Sequence, residues 1–141
     1  MSKSITDIKP ILFLLILGLL LTSCVDDPEI ESFEKAEVLT ADVPDTVVTG
    51  ETYSIPLSFN RPTTCHSFNE FNIEEDPDDV FVSVIIKFRD NFECDDTDVA
   101  AGQVDFEYTV DQDSNFRFRF FQRTQNNQLI YLNKDVVVES E

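Results

Sequence analysis

The sequence contains no tryptophan, one methionine, one histidine, three cysteines and three glycines. Gly18, Gly50 and Gly102 are far apart, which excludes glycine-rich phosphate loops and the Gly-x-Ser-x-Gly turn of many hydrolases. A blue-copper site needs two histidines, and this chain has only His66. A Ser-His-Asp or Cys-His catalytic centre would also have to use His66, which directly follows Cys65. We therefore expect no enzymatic function.

Basic side chains are also scarce: 10 lysines and arginines stand against 28 aspartates and glutamates, for a net charge of −18. Such a negative potential repels phosphate, so nucleic acid is not an expected partner. Strongly acidic chains are often disordered. Here 13 phenylalanines supply the apolar surface that a folded core requires.

The amino-terminal segment is typical of a secretory signal peptide. Lys3 and Lys9 precede an apolar run over residues 11–21, in which only Gly18 interrupts the larger side chains. This run is too short to cross a bilayer, which takes about 20 residues. It is also apolar on every side, whereas a helix packed on a soluble core has a polar face.

Residues 21–24, Leu-Thr-Ser-Cys, resemble the lipobox of bacterial lipoproteins, which ends in an invariant cysteine. The resemblance implies cleavage before Cys24, a diacylglyceryl group on the Cys24 sulfur and acylation of the new amino terminus. Two or three acyl chains hold a protein on a membrane almost permanently. The membrane is therefore an expected partner. Apart from this covalent lipid we expect no bound cofactor, and calcium, considered below, is the alternative.

The residues after Cys24, Val-Asp-Asp-Pro-Glu, resemble the acidic export signal of surface lipoproteins of the Bacteroidota. The resemblance implies an outer membrane lipoprotein that is exposed at the cell surface rather than facing the periplasm. The predicted organisation is a signal peptide over 1–23, a lipidated acidic tether over 24–35 and one domain over 36–141. An extended tether of this length reaches at most about 40 Å from the membrane.

Alternation of apolar and polar residues is the main signal in the domain and predicts β-strands. In residues 52–59, for example, Ile55, Leu57 and Phe59 alternate with smaller or polar residues. Similar runs, separated by turn residues, predict an all-β fold with about seven strands in an antiparallel two-sheet sandwich. The predicted strands cover residues 36–41, 52–59, 67–74, 79–89, 103–110, 115–121 and 129–139.

Residues 43–57, VPDTVVTGETYSIPL, resemble the first part of the domain in Ig-like β-sandwich lipoproteins. The resemblance implies an Ig-like architecture. It implies no immune or adhesive role, because the tryptophan that lies between the bridged cysteines of antibody domains is absent.

With Cys24 assigned to lipid, Cys65 and Cys94 remain as a pair. They follow the second and fourth predicted strands, and alternate loops lie at the same end of an up-and-down sandwich. An exported protein meets an oxidising compartment, so we predict a disulfide between them. The alternative is a metal site that also uses His66, but a structural zinc site needs four ligands. His66 is otherwise expected to be a solvated loop residue.

Two acidic runs, residues 74–79 and 93–98, raise the alternatives of calcium binding and of plain solvated loops. Loop parity places the runs at opposite ends of the sandwich, so they should not form one site. Asp95, Asp96 and Asp98 are the better calcium candidate, but they lack the spacing of a known calcium loop, and a solvated loop is the preferred interpretation. Asp95 and Asp96 would also be the best carboxylate pair for glycoside hydrolysis.

Arg117, Arg119 and Arg123 form the one basic stripe predicted on this acidic chain. We expect them to lack carboxylate partners, whereas the basic residues of strand 79–89 should pair with acidic residues of strand 103–110. The stripe is a candidate binding face for a carboxylate-bearing ligand or an acidic protein surface. Solvated arginines are the alternative.

Together these features predict a membrane-anchored envelope lipoprotein with a non-catalytic structural or protein-interaction role and an envelope protein as partner. The alternatives are a cell-surface recognition module for glycan or peptide, and a periplasmic inhibitor of a hydrolase. Sugar-binding sandwiches usually present exposed tryptophan or tyrosine. Here Tyr53, Tyr108 and Tyr131 are all predicted to face inward, which disfavours glycan.

Overall fold

The computed structural model describes residues 31–90 and 93–139, so the predicted signal peptide, the lipidation site Cys24 and the first part of the tether lie outside the described residues. The described chain forms nine β-strands. It contains no helix that is long and apolar enough to span a membrane. The strands are β1 (Glu31–Ala36), β2 (Val38–Ala41), β3 (Thr46–Val48), β4 (Thr52–Phe59), β5 (His66–Glu75), β6 (Asp79–Arg89), β7 (Gly102–Thr109), β8 (Phe116–Gln125) and β9 (Gln128–Glu139).

The large sheet is organised around β6, which uses both of its backbone edges. β5 pairs antiparallel with one edge, from His66 opposite Phe88 to Glu75 opposite Val80. On the other edge, β8 runs parallel to the first residues of β6, and β1 runs antiparallel to the remainder. β9 continues the sheet beyond β8, and β3 pairs in parallel with β9.

The small sheet contains three antiparallel strands in the order β2-β4-β7. Its inward side chains pack against those of β6 and β8, where buried residues alternate with less buried ones. The two sheets enclose one apolar core. Its most deeply buried side chains are Val38, Ile55, Phe59, Val80, Val82, Val84, Ile86, Phe106, Val110, Phe118, Phe120 and Val136.

This architecture confirms the predicted all-β sandwich, with nine strands in the described residues rather than about seven. Two pairings, β3 with β9 and β6 with β8, are parallel, so the antiparallel prediction holds only for the others. The added strands are β1 and β3. Five of the six side chains of β1 are exposed and β3 has three residues, so neither shows an apolar pattern of period two.

Strand β1 occupies residues that were predicted to end the tether. Its backbone pairs with β6 from Glu31 opposite Arg89 to Ala36 opposite Val84. Arg89 Nε also donates a hydrogen bond of 2.7 Å to Glu31 Oε1. The pairing covers a stretch of β6 that β8 does not reach. The ordered sandwich therefore extends back at least to Glu31, earlier than the predicted boundary at Ala36.

The predicted charge pairing between the strands now named β6 and β7 is wrong, because these strands belong to different sheets. Asp105 and Glu107 of β7 lie opposite Pro56 and Ser54 of β4 instead. The chain crosses from one sheet to the other between β6 and β7. The alternation of apolar and polar residues along each strand does not show which sheet the strand joins.

The predicted disulfide between Cys65 and Cys94 is confirmed, with the two Cα atoms 5.4 Å apart. It ties the loop before β5 to the loop before β7 at one end of the sandwich. Hydrogen bonds join the same loops: Thr64 N–H donates to the Asp95 carbonyl at 2.9 Å. In return, Asp95 N–H donates to Thr64 Oγ1 at 3.0 Å. The two loops therefore form one covalently closed unit.

Replacing Cys65 and Cys94 together by serine should lower the free energy of unfolding by about 3 to 4 kcal/mol, because the bridge restricts a long loop in the unfolded chain. The two cysteines are 29 residues apart in sequence. Urea unfolding followed by circular dichroism measures the difference. The wild type in reductant serves as the control and should match the double variant. Equal unfolding free energies with and without the bridge would contradict the prediction.

Candidate functional site

The outer face of the large sheet, formed by the side chains of β1, β6, β8 and β9 that point away from the core, combines aromatic and basic groups. On β6 the outward residues alternate with the buried ones. Strand register then assigns their neighbours, because directly opposed residues point to the same side of a sheet. The face carries Phe33, Lys35, Phe81, Ile85, Lys87, Arg117, Arg119, Phe121, Leu129, Tyr131, Asp135 and Val137.

The centre of this face is a contact cluster of Asp79, Phe81, Arg119 and Tyr131. The parallel pairing of β6 and β8 places Phe81 opposite Arg119. Arg119 Nε donates a hydrogen bond of 2.7 Å to Asp79 Oδ1, and its guanidinium carbon lies 5.5 Å from the centre of the Phe81 ring. The Phe81 and Tyr131 rings meet edge to face with 5.4 Å between their centres. Ionic, cation–π and aromatic contacts thus hold one arginine in place.

The Asp79–Arg119 pair is only partly accessible, with 23% of the Asp79 side chain and 29% of the Arg119 side chain exposed. The hydrogen bond from Arg119 lowers the pKa of Asp79 below its usual value. The same bond raises the pKa of Arg119. Both groups are therefore charged throughout the physiological pH range.

The structure contradicts the expectation that the arginine stripe lacks carboxylate partners. Arg117 Nε donates a hydrogen bond of 2.6 Å to Asp135 Oδ1, and Arg119 is paired with Asp79. Both pairs depend on strand register. A regular hairpin counted back from the turn would place Val136 opposite Arg117, but a bulge shifts the register by one residue and brings Asp135 there.

The same bulge removes Arg123 from the stripe. It lies between Phe121 and Arg123, so that Phe121 is opposite Tyr131 while Arg123 is opposite Ile130. Ile130 and Tyr131 are adjacent on β9 and point to opposite sides. Arg123 therefore does not continue the outward line of Arg117 and Arg119.

Exposed apolar side chains surround the central cluster. Phe33, Leu129 and Val137 are 57%, 51% and 49% exposed, and they are three of the five most exposed large hydrophobic residues in the described chain. Lys35 Nζ lies 5.6 Å from the centre of the Phe121 ring. The contribution of Phe33 and Phe81 was missed at the sequence level. A signal was present, because residues 80–86 read Val-Phe-Val-Ser-Val-Ile-Ile and are apolar on both faces of the strand.

A groove of about 360 Å³ lies at the end of this face where β6 and β8 begin. Its walls include Asp79, Arg117 and Asp135. Arg117 and Asp135 are bonded to each other, and Asp79 is bonded to Arg119. Asp78 also lines the groove and forms no ion pair among the described residues, so the groove carries one unpaired carboxylate beside these two ion pairs.

His66 is not the solvated loop residue that the sequence predicted. It begins β5 and is 8% exposed. Its Nδ1 accepts a hydrogen bond of 3.2 Å from Thr63 N–H, its Nε2 lies 3.2 Å from Glu34 Oε1, and its ring packs on Phe88. Both ring nitrogens are occupied and the preceding Cys65 is oxidised. His66 therefore holds β1 and the disulfide loop together.

The calcium candidates Asp95, Asp96 and Asp98 do not form a common cage, since residues 31–90 and 93–139 contain no group of three or more potential ligands placed to hold a metal. Asp95 Oδ1 instead accepts hydrogen bonds from Thr97 N–H at 2.8 Å and Thr97 Oγ1 at 2.7 Å. These bonds lower the pKa of Asp95. The carboxylate caps its own turn beside the disulfide.

The three tyrosines do not all face inward as predicted. Tyr108 is buried, and its pKa is raised mainly by that burial. Tyr53 is half-buried, and its hydroxyl donates to Glu51 Oε2 at 2.8 Å. Tyr131 lies on the outer face of the large sheet, opposite Phe121. The prediction for Tyr131 is wrong, because Val136 of the same strand is buried in the core and residues five apart on a strand point to opposite sides.

Comparison with protein-family models, with curated proteins and with solved structures finds no match for this chain.

Replacing Asp79 by asparagine should lower the free energy of unfolding by about 1 kcal/mol at neutral pH, because a charge-assisted hydrogen bond to Arg119 becomes a neutral one. The folded-state pKa of Asp79 is lowered. Its stabilisation is therefore fully present above the unfolded value of about 4 and is lost as the pH falls through the lower folded value. The deficit of Asp79→Asn should accordingly shrink in acid.

Urea unfolding at neutral pH and in acid measures this dependence. Asp78→Asn is the matched control, since Asp78 is exposed and forms no ion pair among the described residues. A deficit that stayed constant down to strongly acidic pH, or one shared by Asp78→Asn, would be inconsistent with the ionic origin.

Proposed function

We propose that this chain is a membrane-anchored envelope lipoprotein with a non-catalytic, protein-interaction role. The observation that carries the proposal is the outer face of the large sheet, where exposed apolar, aromatic and basic side chains come together on an acidic chain. The partner is an envelope protein that presents a surface combining carboxylates with apolar groups.

The composition of the central cluster supports this role. Aromatic residues and arginine are enriched at the buried centres of protein interfaces, and Tyr and Arg are frequent among the residues that dominate binding energy. Phe81, Tyr131 and Arg119 provide these types within one set of mutual contacts. Since those contacts already restrict the side chains, little rotamer entropy is lost on binding.

The distribution of charge supports an acidic partner. The strands of the small sheet contain no lysine or arginine. On the large sheet, Lys35 and Lys87 take part in none of the four ion pairs of the described residues. β5 adds two outward carboxylates, Glu70 and Glu74, at one side of this face. An acidic protein is therefore attracted to the part of the face near β1, where the two lysines lie, and is repelled by the small sheet.

The lipid anchor would hold this face near the membrane. Cys24 precedes Glu31, the first residue of β1, by seven residues, a span of at most about 25 Å when fully extended. β1 starts beside Arg89 at the disulfide end of the sandwich. That end lies towards the membrane in our proposal, and the partner is another protein at the same membrane, on the cell surface.

Changing Cys24 to alanine should abolish acylation and move the protein from the detergent phase to the aqueous phase of a cloud-point separation, because the acyl chains supply the membrane affinity. The Cys65→Ser, Cys94→Ser variant is the control and should remain in the detergent phase. A tag after Glu141 should be reached by protease on intact cells. Retention of Cys24→Ala in the detergent phase would exclude the anchor, and protection of the tag on intact cells would exclude surface exposure.

A photoreactive amino acid in place of Phe33 should cross-link a discrete partner on intact cells, and Lys35→Glu with Lys87→Glu should remove most of that product, because two attractive charges become repulsive. A photoreactive residue in place of Ser54, on the outer face of the small sheet, is the matched control. Lys134→Glu, which reverses a charge on β9 away from Lys35 and Lys87, is a second control and should leave the product unchanged. Equal cross-linking from both faces, or products unchanged by the charge reversal, would disprove this interface.

A further inference from the structure

The two sheets of the sandwich have unequal widths, and the small sheet ends one strand short beside β7. In the described residues β7 pairs with β4 alone, so its second backbone edge has no strand partner. β5 of the large sheet, which pairs with β6, lies next to β7 across the sandwich. The inward face of β5 is therefore incompletely covered.

The exposed fractions of the inward side chains of β5 show how incompletely this strand is covered. Ile73 of β5 points inward opposite Val82, yet it is 42% exposed while Val82 is fully buried. Phe68 and Phe71, the other inward apolar residues of β5, are also only half-buried, although Phe71 lies opposite the fully buried Val84. An apolar strip thus runs along β5 beside the open edge of β7.

Three aromatic rings lie beneath the strip, and we call them the aromatic floor. Phe71 contacts Phe68 and Phe106, with ring centres 4.9 and 5.0 Å apart. A cavity of about 450 Å³ adjoins the start of β7 and is lined by Phe59, Phe68 and Gly102 among others. A strand placed beside β7 would bring its inward side chains over this floor and into this cavity.

The outward side chains of β7 restrict the chemistry of such a strand. Asp105 and Glu107 are exposed and lie opposite Pro56 and Ser54 of β4, which carry no charge. Neither takes part in an ion pair of the described residues. On a new neighbouring strand, the positions opposite these carboxylates favour lysine or arginine.

We propose that the free edge of β7 is a strand-addition site for an extended segment of a partner protein in which basic residues alternate with apolar ones. Main-chain hydrogen bonds to the eight-residue β7 supply affinity, and the alternating side chains supply specificity. Basic side chains face Asp105 and Glu107, and apolar ones cover Phe71 and Ile73. The segment becomes the fourth strand of the small sheet.

Charge argues against an occupant from this protein itself. Residues 25–30 read Val-Asp-Asp-Pro-Glu-Ile, and their acidic side chains would meet Asp105 and Glu107. A second copy pairing through its own β7 would bring the same carboxylates together, and like charges on adjacent strands are destabilising. The site is distinct from the outer face of the large sheet and does not depend on the function proposed above.

The test uses a fluorescein-labelled, end-blocked peptide of sequence Lys-Val-Lys-Val-Lys-Val-Lys and the full lipidated chain in detergent micelles. Fluorescence anisotropy gives the Kd, and amide hydrogen exchange read by mass spectrometry locates the peptide. We expect protection of the amides of residues 102–109. We also expect a loss of binding when alternate peptide nitrogens are methylated, because this removes main-chain donors and leaves the charge unchanged.

Asp105→Lys with Glu107→Lys should raise the Kd by about tenfold or more, since two cross-strand attractions become repulsions. Asp45→Lys with Asp78→Lys changes the net charge equally at exposed positions outside the small sheet and should leave the Kd within about twofold. Ile73→Lys should also weaken binding, by placing a charge over the aromatic floor.

Three results with the peptide, and a fourth without it, would overturn the proposal. Those with the peptide are no protection at residues 102–109, equal binding of the methylated peptide, or equal weakening by both pairs of charge reversals. The first would place the peptide elsewhere, and the other two would reduce its binding to general electrostatic attraction. Dimerisation through β7 without peptide would assign the edge to a second copy and would overturn it as well.

Discussion

Strand β6 pairs along both edges of its backbone while its inward side chains Val80, Val82, Val84 and Ile86 are almost completely buried. β5 follows one edge throughout, and β8 and β1 divide the other between them. Because β8 is parallel to β6, the chain must cross between them, and on the way it adds β7 to the small sheet beside β4. The remaining arrangement of the domain depends on this central pairing.

The same pairing builds the candidate interaction surface. It brings Phe81 beside Arg119, from strands that are well separated in sequence, and sets Asp79 within reach of the guanidinium. It also leaves the second half of one β6 edge for β1. The first strand of the described residues is thereby joined to the strand that carries the candidate surface.

Unequal sheet widths give the molecule two different kinds of exposed surface. On the large sheet, aromatic and basic side chains reach solvent on the outer face. At the open side, inward residues of β5 are left half-covered because no strand of residues 31–90 and 93–139 lies beyond β7. The charges differ as well, since Lys35 and Lys87 lie on the first surface and Asp105 and Glu107 border the second. The first surface therefore favours an acidic partner and the second a basic one.

Predictions based on local pattern were largely successful. The strands that alternate strongly, such as β4 and β6, appear at the expected residues, and the all-β sandwich follows from them. Predictions that needed a partner strand failed more often. The arginine stripe was predicted from the spacing of residues along β8 alone. In the structure, Asp135 and Asp79 from neighbouring strands pair with Arg117 and Arg119.

The sequence by itself determined the fold class and the core, because alternation of side chains along a strand decides which face can be buried. It also predicted the disulfide partners, since one of the three cysteines ends a segment that resembles a lipobox and the other two remain as a pair. Only the tertiary structure decided which edges pair, that residues 31–35 join the large sheet, and that a bulge before Arg123 changes the register of β8. The physical reason is that main-chain hydrogen bonds are nearly the same for every residue, so strand order and register depend on the packing of the whole core.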